Sequence, residues 1–225
     1  MSKTEAGAAP TGSAAFTIRL ARLPRARRLF ARPALWLSAA VMLASCAGEP
    51  SRPEGPPRNV ENACAILDER PHWGAALDGA AMRWGAPPEV VMAIIWKESS
   101  FQPEARTSRT YTLGFIPSGR RSSAYGYAQA IDGTWEWYRN ETGRDDAERN
   151  RFEDAADFVG WYMNRSRRVN GIPMDDAFNQ YLAYHEGHAG WRRGNHNAKA
   201  WLQRVARDVT RQAERYERHI LACRG

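Results

Sequence analysis

Residues 87–105 read Pro-Pro-Glu-Val-Val-Met-Ala-Ile-Ile-Trp-Lys-Glu-Ser-Ser-Phe-Gln-Pro-Glu-Ala. Pro87 marks a helix start, and Val90, Val91, Ile94 and Ile95 recur at the spacing of one buried helical face. Glu98 continues that face, four residues beyond Ile94 and three beyond Ile95, so the helix from Pro87 to Ser99 carries a carboxyl on an apolar surface. Burial disfavours the charged form and raises a carboxyl pKa, which lets the group hold a proton near neutral pH and deliver it to a leaving oxygen. On spacing alone, a helix-end cap or an arginine partner is the simpler role for Glu98.

Working outward, helical periodicity dominates residues 61–225. Phe152, Ala155, Ala156, Val159 and Met163 form one apolar stripe; Leu202, Val205, Val209, Ala213, Tyr216 and Ile220 form another. Further helices are expected over His72 to Arg83, Asp132 to Asn140 and Pro173 to His185, with Gly85, Gly143, Gly171 and Gly187 near their stops. No alternating strand run stands out. A hairpin fits within Tyr111 to Tyr125, punctuated by Gly114 and by Pro117 to Gly119. The expected fold is mainly α, a single helical domain with room for one core and a small irregular or hairpin insertion.

Three short motifs follow one another in order. Glu98-Ser99-Ser100-Phe101-Gln102-Pro103-Glu104-Ala105 resembles the glutamate-serine motif of lytic transglycosylases with an SLT domain. Gly126-Tyr127-Ala128-Gln129, trailed by Thr134, resembles that family's Gly-Leu-Met-Gln motif. Ala183-Tyr184-His185-Glu186-Gly187 resembles its Ala-Tyr-Asn-x-Gly motif. Together they span about half of the domain, and three ordered motifs are far more specific than any one alone.

The resemblance implies a lysozyme-like helical domain whose cleft binds peptidoglycan glycan strands. It further implies cleavage of the β-1,4 bond between N-acetylmuramic acid and N-acetylglucosamine without water, leaving 1,6-anhydromuramyl ends. Carried onto this chain, Glu98 is the catalytic acid and then base. Tyr184 hydrogen-bonds near Glu98 or the substrate acetamido group, Gln129 lines the groove, and Ser108 or Ser123 contacts sugar or supports the loop. No cofactor is implied. Two departures stand out. The family's Leu-Met is Tyr127-Ala128 here, which places Tyr127 as a candidate sugar-stacking surface. Its Asn is His185, whose imidazole state depends on pH where an amide's does not.

Other readings attach to neighbouring residues. Glu186, facing Glu98 across a cleft, would activate water and make a hydrolytic muramidase. A non-catalytic peptidoglycan-binding envelope lipoprotein would keep the groove without turnover, although it would have no need of Glu98. His185-Glu186-Gly187-His188 has the wrong spacing for a helical zinc motif, and no metal is expected; His188 reads as a loop residue. Among nine tryptophans and eight tyrosines, Trp135, Trp137, Tyr138, Trp161, Tyr162 and Trp191 read as core as readily as sugar platforms.

At the N-terminus, Ala34 to Ala44 is a short apolar run behind Arg19, Arg22, Arg25, Arg27, Arg28 and Arg32, and it is too short to span a bilayer. Leu43-Ala44-Ser45-Cys46 resembles a bacterial lipobox, which implies a signal peptide over residues 1–45 and acylation of Cys46. By the same resemblance to bacterial lipoproteins, Ala47 in place of an Asp after the cysteine implies a lipid anchor in the outer membrane facing the periplasm. Residues 46–60, rich in Pro and charge, read as a flexible tether, leaving 61–225 as the SLT-type domain.

The net charge of +7 belongs mostly to the leader, because residues 1–45 hold seven of the 32 basic residues and one of the 25 acidic ones. The remainder nearly balances, which removes the case for nucleic acid as a partner. Basic clusters such as Arg165, Arg167 and Arg168 read as solvated helix faces. Setting Cys46 aside leaves Cys64 and Cys223 of the three cysteines. In an oxidising compartment they would close a long loop worth on the order of 4 kcal/mol; otherwise they are two free thiols.

Overall fold

The computed structural model describes residues 55–224 apart from Gly114. The expected signal peptide, Cys46 and most of the tether lie outside the described residues. The order is α1 (Ala63–Glu69), α2 (Pro71–Trp84), α3 (Pro88–Ser99), β1 (Arg109–Thr112), β2 (Ile116–Arg120), α4 (Asp132–Thr142), α5 (Phe152–Asn170), α6 (Ala177–Arg192), a 3-10 turn (Asn195–Ala198) and α7 (Ala200–Arg224). The fold is thus mostly helical, with one small antiparallel hairpin. No helix among the described residues is long and apolar enough to cross a membrane.

Helix α3 is the central element, packed between α7, α5 and α2. Val90, Val91, Ile94 and Ile95 are buried, as are Met92 and Ala93, so the helix is apolar nearly all round rather than on one stripe. Pro88 stands in its first turn, where the missing N–H costs nothing. Its C-cap, Ser100, has φ 51°, and Phe101 follows at φ 59°. Two consecutive non-glycine residues in the left-handed region are unfavourable unless packing enforces them. Here the enforcement comes from Phe101, which is fully buried and stacks on Trp73 at 5.7 Å. Trp73 in turn stacks on Phe152 at 3.9 Å, tying the starts of α5 and α2 to the end of α3.

A buried polar network secures the opposite side of α5. Asp157 accepts hydrogen bonds from Tyr138 at 2.7 Å, Trp84 at 2.8 Å and Arg83 at 3.2 Å. Asp154, almost fully buried, accepts from Arg144 and Arg151 at 2.6 Å and from the Glu148 backbone N–H at 2.9 Å. Multiple donors satisfy both carboxylates, which is the condition for burying such charges without a large penalty.

Gly85, Gly143 and Gly171 form left-handed C-caps of α2, α4 and α5. The helix expected from Pro173 instead begins at Ala177, because Asp176 caps it by accepting from the Asn179 backbone N–H at 3.0 Å. At Gly187, with φ 73° and ψ 155°, the helical path breaks and then resumes to Arg192, so His188 stands on a helix rather than in a loop. Neither α1 nor the 3-10 turn was expected; both are short and lack a sustained apolar period. Of the basic cluster on α5, Arg165 and Arg168 pair with Glu141.

The domain begins before residue 61. Pro57 is buried, and the Tyr216 hydroxyl on α7 donates to the Val60 carbonyl. Glu61 accepts from Trp96 of α3 at 3.1 Å and from Arg215 of α7 at 2.9 Å. A disulfide joins Cys64 to Cys223, with Cα atoms 6.0 Å apart, and fastens α1 to the end of α7.

Candidate active site

Glu98, in the last turn of α3, projects into a cleft of about 540 Å³. Gln129, Ala130 and Ile131 line one side, Tyr184, His185, Glu186 and Gly187 the other, with Phe158 and Tyr162 of α5, Thr134 of α4 and Ser122 completing it. Burial pushes the Glu98 carboxyl up to about 7, opposed by a hydrogen bond from the Tyr181 hydroxyl and by the Lys97 charge. Near neutral pH the group is therefore divided between acid and carboxylate, the condition for giving a proton and later taking one.

The wall bearing Gln129 is a tight loop clamped by its own backbone. The Gly126 N–H donates to the Ala105 carbonyl at 3.0 Å, and the Tyr127 N–H to the Arg149 carbonyl at 3.1 Å. Gly126 has φ 79°, and a Cβ there would sit 2.0 Å from the Arg149 carbonyl oxygen, so only glycine fits. Gln129, at φ 48°, donates through its amide to the carbonyls of Ala105 at 2.8 Å and Gly126 at 2.9 Å. Its side chain fastens the loop to the segment following Glu98 while facing the cleft. Arg149 completes the clamp by donating to Ser123 and Ala130 carbonyls, at 3.1 and 2.9 Å.

The sequence-derived candidates divide into two groups. Glu98, Gln129, Tyr184 and His185 meet in the cleft. Tyr127 does not: it is 2% exposed and packs edge-on against Trp73 at 5.7 Å and Phe152 at 5.6 Å, a core position rather than a sugar platform. Ser108 is an exposed loop residue outside the cleft lining, its carbonyl accepting from the Arg121 backbone N–H at 3.4 Å. Ser123 is also outside it; its hydroxyl accepts from the Asp132 N–H at 3.0 Å and so supports the start of α4. The neighbouring Ser122 is the serine that faces the cleft.

Tyr184 donates to the Ala128 carbonyl at 2.5 Å, bridging the two cleft walls rather than bonding Glu98. The tyrosine that does reach Glu98 is Tyr181, one turn earlier on α6, which the motif comparison missed. Its signal was the three-residue spacing from Tyr184, which places both rings on one helical face. Glu186 faces the cleft from the opposite wall, but Lys199 grips it at 2.7 and 2.9 Å and His185 approaches it at 3.1 Å. Those partners outweigh burial and hold its carboxyl below the ordinary value. His185 packs edge-on against the half-exposed Trp201 at 5.3 Å.

The chain matches the family described as Transglycosylase SLT domain over residues 34–223. It belongs to that family. The match begins within the apolar run read above as a leader core and takes in all three cleft motifs. A comparison with curated proteins found no match. Membership supports lytic transglycosylase activity on peptidoglycan, and the helical, lysozyme-like domain with its small hairpin agrees with it.

Proposed function

We propose that this SLT domain cleaves the MurNAc-β-1,4-GlcNAc bond without water, with Glu98 as acid and then base. The observation that carries the proposal is the Glu98 carboxyl, held near pKa 7 at the cleft floor. Protonated Glu98 gives its proton to the glycosidic oxygen as the bond to muramyl C1 breaks. The resulting carboxylate then takes the proton of the muramyl C6 hydroxyl as that oxygen bonds to C1, closing the 1,6-anhydro ring. Nucleophile and electrophile belong to one sugar, so the protein need only hold the ring and exclude water. Tyr181 donates to the carboxylate formed midway and stabilises it.

The hydrolytic alternative needs a second carboxylate to activate water. Glu186 is engaged by Lys199 and His185 and held below the usual carboxyl range, which makes it a weak base. The proposal extends to location: acylation of Cys46 anchors the domain through residues 47–56 to the outer membrane, facing the periplasm. The deciding experiment is mass spectrometry of fragments released from purified peptidoglycan by the full chain and by Glu98→Gln. Anhydromuramyl ends that vanish in the variant are expected. Reducing ends would establish hydrolysis, and intact wall with bound protein would establish a binding module. For the anchor, Cys46→Ala should release the protein from membranes.

A further inference from the structure

The cleft does not end at Gly187. A second cavity, of about 520 Å³, shares Thr134, Tyr162, Glu186 and Gly187 with the catalytic cleft and continues it between α4, α5 and the last turn of α6. Its additional walls are Trp137 of α4, Arg165 of α5, and His188, Arg192 and Arg193 of the resumed turn of α6. The break at Gly187 creates this wall, because it re-aims the last helical turn beside the cleft.

Its electrostatics differ from those of the catalytic cleft. Arg192 and Arg193 are exposed, and among the described residues no carboxylate pairs with either. Arg165 lies over the Trp137 ring at 4.3 Å, held there by Glu141 at 3.1 Å. The one carboxylate on the wall, Glu186, is already neutralised by Lys199. His188 stacks on Tyr162 at 4.3 Å, and burial holds its imidazole below the ordinary value, with the Arg165 and Arg192 charges acting in the same direction and a hydrogen bond to the Tyr162 carbonyl opposing them. The cavity thus presents two free guanidinium groups beside a partly exposed indole, and it opens into the site that would hold the glycan.

Muramyl residues carry, through their lactyl ether, short peptides with free carboxylates. Guanidinium forks match carboxylates bidentately, and this cavity is where a chain branching from the bound sugar strand would meet them. We propose that the Arg192–Arg193 cavity is a subsite for peptide-stem carboxylates, so that the enzyme selects stem-bearing glycan over stripped glycan. The inference rests on the transglycosylase reading of the cleft and deepens it by naming the substrate class.

The test compares the full wild-type chain with the Arg192→Ala/Arg193→Ala double variant on two substrates: glycan strands bearing peptide stems, and the same strands after amidase removal of the stems. The readout is the ratio of kcat/KM values. Wild type should prefer the stem-bearing strands, and the double variant should lower that ratio about tenfold. A double Arg→Lys variant should restore part of it, and added salt should erode the wild-type ratio. A wild-type enzyme indifferent to stems, or a preference that survives the double variant, overturns the subsite while leaving the transglycosylase reading intact. Failure to cleave either substrate would overturn that reading and the subsite with it.

Discussion

Tyr181 on α6 donates its hydroxyl to the Glu98 carboxyl on α3, so the acid at the cleft floor is tuned from a second helix. The hydrogen bond favours the ionised form and opposes burial, whose effect is the larger. Removing it in Tyr181→Phe should raise the Glu98 pKa further above 7. In the proposed mechanism proton donation requires the acid form, so activity should fall as pH rises through that value. In the variant the descending limb of the pH–rate profile should move to higher pH, and kcat should fall because the midway carboxylate loses its donor. A profile that does not move would separate Tyr181 from the chemistry.

The same burial makes stability depend on pH. The folded pKa of Glu98, about 7, lies above its ordinary 4.5, so the folded state binds the proton more tightly. Stability is therefore fullest below 4.5 and declines as pH rises through 7, by about 3 kcal/mol in all. Glu98→Gln abolishes the titration. Denaturant unfolding should give the two proteins similar stability at pH 4, with the variant the more stable by about 3 kcal/mol at pH 8.5. A difference independent of pH would contradict the raised pKa.

Glu186 offers a separate check on the reaction class. Because Lys199 and His185 engage its carboxylate, Glu186→Gln should leave the products as anhydromuramyl ends and change turnover by less than about tenfold, against a far larger loss in Glu98→Gln. Mass analysis of the products decides it. A switch in product, or inactivity equal to that of Glu98→Gln, would return Glu186 to the chemistry.

The sequence was most legible where order is local. Helix α3 and its carboxyl follow from residue spacing, and the glycine stops of α2, α4 and α5 follow from chemistry within one turn. It was least legible where partners are distant. Tyr127 and Gln129 lie two residues apart in one motif, yet one packs on Trp73 in the core and the other lines the cleft. Which side of a tight turn faces solvent depends on helices contributed from elsewhere. Tyr181 escaped notice for the same reason, since its partner lies 83 positions away on another helix. The resumption of α6 after Gly187 runs against the usual reading of glycine as a stop.

The disulfide between Cys64 and Cys223 closes nearly the whole described chain. Its contribution acts mainly through the unfolded ensemble, so Cys64→Ser/Cys223→Ser should lower stability by about 2–5 kcal/mol with little change in kcat. Thermal unfolding with and without reductant measures it. A destabilisation seen equally in the reduced wild-type protein would assign the loss to the bond rather than to the serines.

Gly126 is where fold and cleft are hardest to separate. Its φ of 79° is unfavourable for any residue with a Cβ, and that atom would lie 2.0 Å from the Arg149 carbonyl oxygen, a backbone group that cannot rotate away. The same Arg149 carbonyl accepts from Tyr127, and the same loop carries Gln129 into the cleft. Gly126→Ala should therefore cost about 1–2 kcal/mol from backbone strain alone, with the clash adding to it. Relief of the clash requires the loop bearing Gln129 and the Arg149 backbone to part, which loosens that cleft wall, so residual activity at a temperature where the variant remains folded should fall as well. Wild-type turnover in a folded but destabilised Gly126→Ala would mean that the wall can move without disturbing the reaction.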